Sequence, residues 1–360
     1  MAEPLKNMYS KPYLEKFSRV FKDIYPAFDT KQFLKLVFDK EWESRELKQR
    51  MSHIALCLHK TLPGDYRKNI SILKKAVPHF NGFLSMIFPD YAQQFGLNDP
   101  KTSVPALKLF TKYGSSEFAV RPFIIKYPEM LMPEMQKWAR DKNHHVRRLA
   151  SEGCRPRLPW AIALPVFKRD PAQVLKILEI LKEDDSEYVR KSVANNLNDI
   201  SKDNPQTALN TAVRWYGKNK KTDWIVKHGL RGLLKKGNPE ALKMFGWYGA
   251  EGIEIERFKL SGIKVPVGCS LEFSFDIKPV NPLNENMRLE YSIDFITSTG
   301  KTSKKIFKIT EARVEKGKVC SFKRKHSFKN LTTRKHFSGK HKISLIVNGK
   351  KTEEKVFYIT

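Results

Sequence analysis

The stretch DKNHHVRRLASEGCRPRLPW, residues 141–160, decides the fold class of this chain. Asp141 is followed five positions later by Val146-Arg147, a pattern with which the helices of stacked helix-pair repeats begin. The same pattern recurs at Asp184 and Val189-Arg190. An internal repeat of this kind predicts short helices that pack in pairs, each pair on the next.

Weaker copies of the pattern extend the repeat in both directions. They lie at Ser115 with Val120-Arg121 and at Val226-Lys227, so the successive Val-Arg or Val-Lys pairs are 26, 43 and 37 residues apart. These spacings are irregular but fall around the period of HEAT-type repeats. The larger part of the chain is therefore predicted to be a curved α-α superhelical solenoid of HEAT-like repeats.

The periodicity of the apolar residues changes once along the chain. From about Pro12 to Gly249 the spacing is helical, whereas after about Glu256 apolar and polar residues alternate, as in the run from Leu271 to Ile277. About seven short strands in the last hundred residues are typical of an immunoglobulin-like β-sandwich. We therefore predict a mostly α protein with a β appendage: residues 1–255 form the solenoid and residues 256–360 a C-terminal sandwich.

The charge of the chain indicates what it binds. Its 67 Lys and Arg residues against 38 Asp and Glu residues give a net charge of +29, and the excess is shared by both predicted domains. Such an excess attracts polyanions at long range and binds them by counterion release. A scaffold for basic cargo would be acidic instead. The alternative, a basic surface that serves only solubility, is the minority interpretation.

The amino terminus and the cysteines indicate the compartment. The stretch MAEPLKNMYSKPYLEKF lacks the apolar core and cleavage site of an export signal, and no run of about 18 apolar residues exists to span a bilayer. Cys57, Cys154, Cys269 and Cys320 occur singly, so neither a zinc ribbon nor a disulfide framework is indicated. Cys269 and Cys320 could approach each other on the apolar faces of two predicted strands, but we expect reduced thiols. A cytoplasmic protein is predicted.

Several catalytic signatures are absent. The sequence contains no G-x-x-x-x-G-K-[ST] loop, no H-E-x-x-H and no H-x-E with P-C-x-x-C. His144-His145 is the most tempting metal site. Adjacent residues on a helix diverge by about 100°, so these two cannot share a metal as an i, i+4 pair can. We predict that the protein uses no metal and no cofactor.

Three segments carry a specific family resemblance. The runs Asn143–Trp160, Gly114–Phe123 and Val193–Asp199 resemble the AlkC-type branch of the HEAT-like-repeat (AlkC/AlkD) DNA glycosylases, over roughly residues 40–250. That family removes N3-alkylated bases from damaged DNA. The resemblance implies a DNA-3-methyladenine glycosylase, and the sequence leaves open whether 3-methylcytosine or an N7-alkylguanine is also a substrate. Its partner would be double-stranded DNA containing alkylated bases, and we expect a monomer that binds no membrane.

The resemblance also implies an active site. By motif position, Glu117, Glu152, Trp160 and Asp199 correspond to the active-site carboxylates and aromatic residue of the family. An N3-alkylated base is a cation and already a good leaving group, so little general acid catalysis is needed. Ionised carboxylates can instead stabilise an oxocarbenium-like sugar and orient water. An aromatic face attracts positive charge.

Each carboxylate has a structural alternative that the residues themselves suggest. Glu152 lies four positions after Arg148, and Glu117 four positions before Arg121, so either could form an ion pair on a helix surface. Asp199 could belong to a polar ladder between repeats. By composition Trp160 is more often a core residue, and only the family pattern moves it to the concave surface.

The basic residues fall into two groups: candidates for contacts with DNA phosphates, and candidates for ion pairs between neighbouring repeats. Arg148, Arg155 and Arg157 have no structural duty visible in the sequence, which favours phosphate contacts. Arg147 and Arg190 occupy the repeat position and could serve the ladder instead. The predicted DNA contacts are Arg121, Arg147, Arg148, Arg155, Arg157, Arg190, Lys227, Arg231, Lys323, Arg324 and Lys325.

Three classes of function therefore compete. The first is a DNA glycosylase, the second a non-catalytic HEAT-repeat scaffold that binds nucleic acid, and the third a protein-binding solenoid with a β adaptor. The net charge argues against the third class. The combination of Glu117 and Glu152 with Trp160 favours the first over the second, because carboxylates in a basic groove would weaken a protein that only binds phosphates.

Overall fold

Residues 4–282, 286–331 and 334–360 are described by a computed structural model of the protein. The first three residues of the amino-terminal stretch examined for an export signal lie outside this range. The chain divides into two units, Met1–Gly229 and Leu230–Thr360. The sequence pattern placed the domain limit between residues 255 and 256, and that limit stays a prediction.

The first unit is built of short helices joined by turns, as the repeat pattern predicts. Within the described residues, no helix is long and apolar enough to cross a membrane. The helices are α1 (Lys11–Ile24), α2 (Thr30–Val37), α3 (Leu47–Thr61), α4 (Tyr66–Ala76), α5 (Ile87–Gly96), α6 (Pro100–Phe110), α7 (Val120–Lys126), α8 (Pro128–Trp138), α9 (His144–Gly153), α10 (Pro165–Arg169), α11 (Ala172–Leu181), α12 (Glu187–Asp203), α13 (Pro205–Trp215) and α14 (Lys220–Gly229), with 3₁₀ turns at Leu5–Met8, Trp42–Ser44, Val77–His79 and Gly82–Met86.

Capping side chains fix where many of these helices begin. Asp29, Asp65 and Asp99 precede α2, α4 and α6, and each accepts a hydrogen bond from the backbone N–H three residues on, at 2.9, 2.8 and 3.2 Å. Asn143 caps α9 by accepting from the N–H of His145 at 2.9 Å. A capping side chain satisfies an N–H that the helix itself leaves unpaired, which localises the helix start.

The Val-Arg pairs have the structural role that their recurrence suggests. Val146 and Val189 are fully buried. Arg147 donates to both carboxylate oxygens of Asp184 at 2.6 and 3.0 Å and to the carbonyl oxygen of Asp141 at 3.0 Å. Arg190 donates to the carbonyl oxygen of Asp184 at 2.7 Å. The valine therefore anchors each repeat in the core, and the arginine ties the helix to the preceding turn and, at Arg147, to the next repeat.

The second unit begins with two short helices and continues as two β-sheets. The elements are α15 (Arg231–Lys235), α16 (Pro239–Met244), β1 (Ile253–Leu260), β2 (Lys264–Val265), β3 (Ser270–Pro279), β4 (Asn286–Ile296), β5 (Thr302–Arg313), β6 (Cys320–Ser327), β7 (Gly339–Val347) and β8 (Lys350–Ile359). One sheet has the strand order β1-β3-β6 and the other β2-β8-β7-β4-β5. Every pairing is antiparallel except that of β2 with β8.

The alternating pattern correctly located the core of this sandwich. The apolar residues of β3 from Leu271 to Ile277, and of β4 from Leu289 to Phe295, are buried in it. Eight strands are described where the pattern predicted about seven, and the shortest of them, β2, has two residues. The alternative of an approach between Cys269 and Cys320 is not observed, because Cys269 precedes β3 whereas Cys320 pairs with Ile277 at the far end of that strand.

The repeat contacts predict which ion pairs hold the first unit together. Arg147→Ala removes the partner of a largely buried carboxylate, Asp184, so the free energy of unfolding should fall by about 3 kcal/mol. Lys191→Ala is the matched control, because its pair with Glu187 at 2.7 Å is exposed on both sides and should contribute about 0.5 kcal/mol or less. Denaturant unfolding of both variants tests this. Equal losses would contradict a structural role for the Val-Arg arginines.

Candidate active site

A cavity of about 680 Å³ lies in the first unit, between the turn before α7, the helix α9 with the loop that follows it, and the start of α12. It contains three of the four residues that the sequence assigned to an active site: Glu117, Glu152 and Trp160. The cavity is lined by Asn81, Gly82, Phe83, Met86, Lys112, Tyr113, Gly114, Ser115, Glu117, Phe118, His145, Arg148, Glu152, Arg155, Leu158, Pro159, Trp160 and Tyr188.

Local sequence spacing brings the charged groups of this cavity together. Arg148 and Glu152 are four residues apart on α9, and residues at that spacing share one face of a helix. Glu117 lies in the turn that leads into α7. The structural alternative proposed for Glu152, a pair with Arg148, is present with the guanidinium Nη2 3.4 Å from the carboxylate. The alternative proposed for Glu117, a pair with Arg121, is not the contact observed.

Glu117 is held by two groups on neighbouring elements. Its carboxylate accepts a hydrogen bond from the Ser115 hydroxyl at 2.8 Å and a charged hydrogen bond from Nη1 of Arg148. The same Nη1 also donates to the Ser115 hydroxyl oxygen at 2.9 Å. The Glu117 side chain keeps 14% of its surface exposed, so this carboxylate still faces the cavity.

Glu152 is more deeply buried and is surrounded by donors. One carboxylate oxygen accepts from Arg155 at 2.6 Å, and the other accepts from the Ser192 hydroxyl at 2.5 Å. Burial acts to lower the pKa of Arg148, but the charges of Glu152 and Glu117 outweigh it and hold that pKa above its ordinary value. The guanidinium therefore stays charged, and the two carboxylates share a permanent counterion.

Asp199 lies behind the cavity and is not among the residues that line it. Its side chain is almost completely buried and accepts from Nε of Arg155 at 2.9 Å and from Nζ of Lys202 at 2.9 Å. The other end of the Arg155 guanidinium contacts Glu152. Asp199 is thereby linked to the cavity through Arg155, and this contact between α12 and the loop after α9 agrees with the structural alternative.

Trp160 occupies an unusual place for a tryptophan. Its side chain is 66% exposed, and its φ of 63° lies in the left-handed region that residues other than glycine rarely adopt. Its carbonyl oxygen accepts a hydrogen bond from Nζ of Lys48 at 2.7 Å. The alternative of a core tryptophan is wrong. A strained backbone that presents an exposed aromatic to a cavity is typical of a functional site.

The structure adds aromatic residues that sequence reasoning missed. Tyr188 and Phe118 line the cavity, and the ring of Tyr188 lies under the guanidinium of Arg148, 4.9 Å from its central carbon. The repeat register contains the signal that could have found Tyr188. Like His145, it stands immediately before a Val-Arg pair, so the register places both residues at corresponding positions of α9 and α12.

Arg121 is a structural residue, and its assignment as a DNA contact is wrong. Its side chain is fully buried and donates to the carbonyl oxygens of Gly153, Arg155 and Ile162 at 2.9, 2.8 and 2.6 Å. Burial lowers the pKa of this guanidinium to about 10. A cation so enclosed cannot reach a phosphate; it fixes the end of α9 and the loop that carries Trp160.

The other predicted contacts of the first unit differ in accessibility. Arg157 is exposed and forms a paired contact with Asp203 at 2.7 and 2.6 Å, a position from which a phosphate can be reached. Arg155 points inward and contacts Glu152 and Asp199, so it does not have the free guanidinium that its predicted phosphate contact requires. Arg147 makes the inter-repeat contact already described, and Arg190 holds the turn before its own helix.

The remaining predicted contacts are on or near the surface. Lys227 lies in α14 of the first unit, and Arg231 in α15 of the second; both are partly exposed. In the sandwich, Lys323 and Lys325 are exposed on one face of β6 and contact Glu272 at 2.8 and 3.9 Å. Arg324, between them, is partly buried and donates to the carbonyl oxygen of Lys323 at 2.9 Å.

The cavity lining contains two carboxylates, several aromatic rings and the cationic side chains of Lys112, Arg148 and Arg155. Across the described parts of the chain, no group of three His, Cys, Asp or Glu side chains is placed to hold a metal ion. The rings of His144 and His145 are 4.2 Å apart, and His145 lines the cavity.

Known proteins resemble this chain along its whole length. Residues 114–233 match the family described as DNA alkylation repair enzyme, and residues 254–360 match the C-terminal Ig-like domain of uncharacterised protein YhaZ. Uncharacterized protein YhaZ of Bacillus subtilis (strain 168) is 44% identical over 345 residues, 96% of each chain. The structure of Pseudomonas fluorescens alkylpurine DNA glycosylase AlkC, bound to DNA containing an abasic site analog, is 36% identical, covers 99% of this chain and 100% of its own, and gives a TM-score of 0.96.

The burial of Arg121 predicts the effect of removing it. Arg121→Met keeps most of the side-chain volume but leaves three carbonyl oxygens without their donor, so the free energy of unfolding should fall by about 3 kcal/mol or more. Arg140→Met is the control, because exposed Arg140 donates to a single carbonyl oxygen at 3.1 Å. A stable Arg121→Met protein that has lost only DNA affinity would restore the original assignment.

Proposed function

The chain belongs to the AlkC-type branch of the HEAT-like-repeat alkylation-repair superfamily, and from that premise we propose that it is a DNA glycosylase. The proposed reaction is hydrolysis of the N-glycosidic bond of cationic N3-alkylated bases in duplex DNA, with 3-methyladenine as the first substrate and 3-methylcytosine as a second. The observation that carries the proposal is the cavity itself: Glu117, Glu152 and Trp160 meet there, in a chain that aligns end to end with an alkylpurine glycosylase.

The carboxylates of the cavity suit this reaction. Departure of an already cationic base leaves positive charge on the sugar, and ionised carboxylates fixed in advance stabilise that charge as it develops. A carboxylate can also hold and activate the water that attacks the sugar. Because Ser115, Ser192 and two arginines fix Glu117 and Glu152, little reorganisation is needed when the charge appears.

The other two predicted site residues have different roles in this proposal. Trp160 presents an exposed aromatic face at the cavity, where a cationic base is attracted to its π system. Asp199 does not line the cavity, so we assign it the role of a positioning residue. It holds Arg155, which in turn contacts Glu152 at 2.6 Å.

Double-stranded DNA containing alkylated bases is the proposed partner. The net charge of +29 supplies the general attraction to a polyanion, and exposed Arg157 lies on the loop that follows the cavity helix. The Pseudomonas fluorescens relative was solved with DNA bound. The monomeric state and the cytoplasmic location stay predictions.

One observation favours the alternative of a non-catalytic scaffold. Glu117, Glu152 and Asp199 each have a cationic partner, and ion pairs between repeats could stabilise a protein that only binds nucleic acid. The cavity supports the glycosylase over this alternative, because a structural pair gains nothing from facing a space of about 680 Å³ beside an exposed tryptophan. Release of free base from methylated DNA by the intact protein decides between them.

Neutral replacements of the two glutamates test the catalytic assignment. Glu117→Gln or Glu152→Gln should slow single-turnover release of 3-methyladenine by about a hundredfold or more, because the amide cannot stabilise positive charge in the transition state. Affinity for duplex DNA should be unchanged or higher, since each variant removes a negative charge near a polyanion.

The matched control for this test is Glu129→Gln, an exposed glutamate of α8 outside the cavity. It should excise 3-methyladenine at the wild-type rate. Wild-type rates in both cavity variants would reject the catalytic role of these glutamates, whereas loss of activity in the Glu129 variant would show that the assay reports a general effect.

We also propose that the sandwich is a DNA clamp and takes no part in the chemistry. Replacing Lys323 and Lys325 together by Ala should weaken binding to damaged and undamaged duplex alike. The slope of log affinity against log salt concentration should decrease by about one for each phosphate contact that is lost. Single-turnover excision at saturating enzyme should be unchanged. The double variant of exposed Lys16 and Lys22 in α1 is the charge-matched control. An unaltered affinity and slope for the β6 variant would contradict the clamp.

A further inference from the structure

Trp160 has a backbone conformation that its own side chain does little to stabilise. Its φ of 63° lies in the left-handed region, where a residue with a Cβ atom is strained, and its side chain is 66% exposed. A strained residue keeps such a conformation only where surrounding contacts hold it. Because the indole is mostly in solvent, contacts with the backbone of Trp160 and its neighbours have to provide that hold.

The Trp160 loop, residues 154–164, is held near both ends by one buried side chain. The guanidinium of Arg121 donates to the carbonyl oxygen of Arg155 at 2.8 Å and to that of Ile162 at 2.6 Å. These two bonds fix where the loop leaves α9 and where it approaches α10. The carbonyl oxygen of Trp160, between them, is held by a different residue.

That residue is Lys48 of α3. Its Nζ donates to the carbonyl oxygen of Trp160 at 2.7 Å and lies 4.7 Å from the centre of the Phe118 ring. Trp160 and Phe118 line the same cavity as Glu117 and Glu152. One ammonium therefore joins two aromatic residues of the proposed site, from a helix 112 residues before Trp160 in the sequence.

The position of Lys48 brings no advantage to α3 itself. Lys48 is the second residue of that helix, where the positive end of the helix dipole repels a cation. In the described part of the chain its ammonium forms no ion pair, and the carbonyl oxygen and the ring are its contacts. A hydrogen bond from a charged donor is stronger than one between neutral groups, so the contact with Trp160 is the principal structural use of this charge.

We propose that Lys48 is a positioning residue: it fixes the strained backbone of Trp160 and thereby the direction of the exposed indole. This rests on the proposed function, because a fixed indole aids base release only if the chain is the glycosylase described above. An aromatic face that is fixed in advance attracts a developing positive charge without first having to reorganise. Without Lys48 the indole can adopt other positions, and a misplaced group contributes less to the transition state.

The rate of base release tests this role. Lys48→Met should slow single-turnover release of 3-methyladenine at saturating enzyme by about tenfold, the effect expected for loss of one hydrogen bond from a charged donor. Lys48→Arg should keep most of the rate, because a guanidinium can donate to the same carbonyl oxygen and stack on the Phe118 ring. Lys60→Met, which removes another exposed lysine of α3, is the matched control and should release the base at the wild-type rate.

A double-mutant cycle separates positioning of Trp160 from a direct contact between Lys48 and DNA. In a Trp160→Ala protein, Lys48→Met should cause no further loss of rate, because the group that Lys48 positions is absent. A phosphate contact would instead weaken binding to damaged and undamaged duplex alike and leave the rate at saturating enzyme unchanged. That result, or losses that simply add in the double variant, would overturn the proposal.

Fluorine NMR of the DNA-free protein reports the position of the indole without catalysis. The chain has six tryptophans, and Trp160→Phe identifies the Trp160 signal in protein labelled with fluorinated tryptophan. Lys48→Met should shift or broaden that signal, whereas Lys48→Arg and Lys60→Met should leave it at its wild-type position. An unchanged Trp160 signal in Lys48→Met would overturn the proposal. Base release by the wild-type protein is measured separately, so failure of this contact and failure of the glycosylase assignment are distinguishable.

Discussion

Compensation of buried negative charge is the constraint on which the site depends. Glu152 and Asp199 are nearly enclosed, and a buried carboxylate persists only when cations and hydrogen-bond donors replace its water. Arg148 and Arg155 supply that charge from α9 and the turn after it, while Ser192 supplies a hydroxyl from α12. Glu152 and Asp199 therefore each have a cationic partner within the protein before any ligand binds.

The repeat architecture makes this arrangement achievable. The Val-Arg pairs fix the register of successive helices, and fully buried Arg121 ties the end of α9 to the loop that presents Trp160. Groups from elements far apart in sequence are thereby held in advance of any ligand, which is the condition under which fixed charges stabilise a transition state most effectively. The same constraint explains why a basic protein keeps acidic residues at its proposed reaction centre.

The sequence predicts the elements better than it predicts the environment of individual side chains. Periodicity locates the helices and the core faces of β3 and β4, and three residues selected by the family resemblance, Glu117, Glu152 and Trp160, line one cavity. The sequence does not show which arginines are buried and which are exposed. Arg121 is enclosed by carbonyl oxygens, whereas Arg157 is exposed. The repeat register places Tyr188 at the position that corresponds to His145, but it does not show that the Tyr188 ring stacks with Arg148 of another helix.

The central claim is that this protein excises bases because they carry positive charge. The most direct measurement is the identification, by mass spectrometry, of every base that the wild-type protein frees from a duplex alkylated at several positions. The account predicts that cationic 3-methyladenine is released while neutral O6-methylguanine stays in the duplex. Release of no base at all, or release of the neutral lesion as fast as the cationic one, would contradict it.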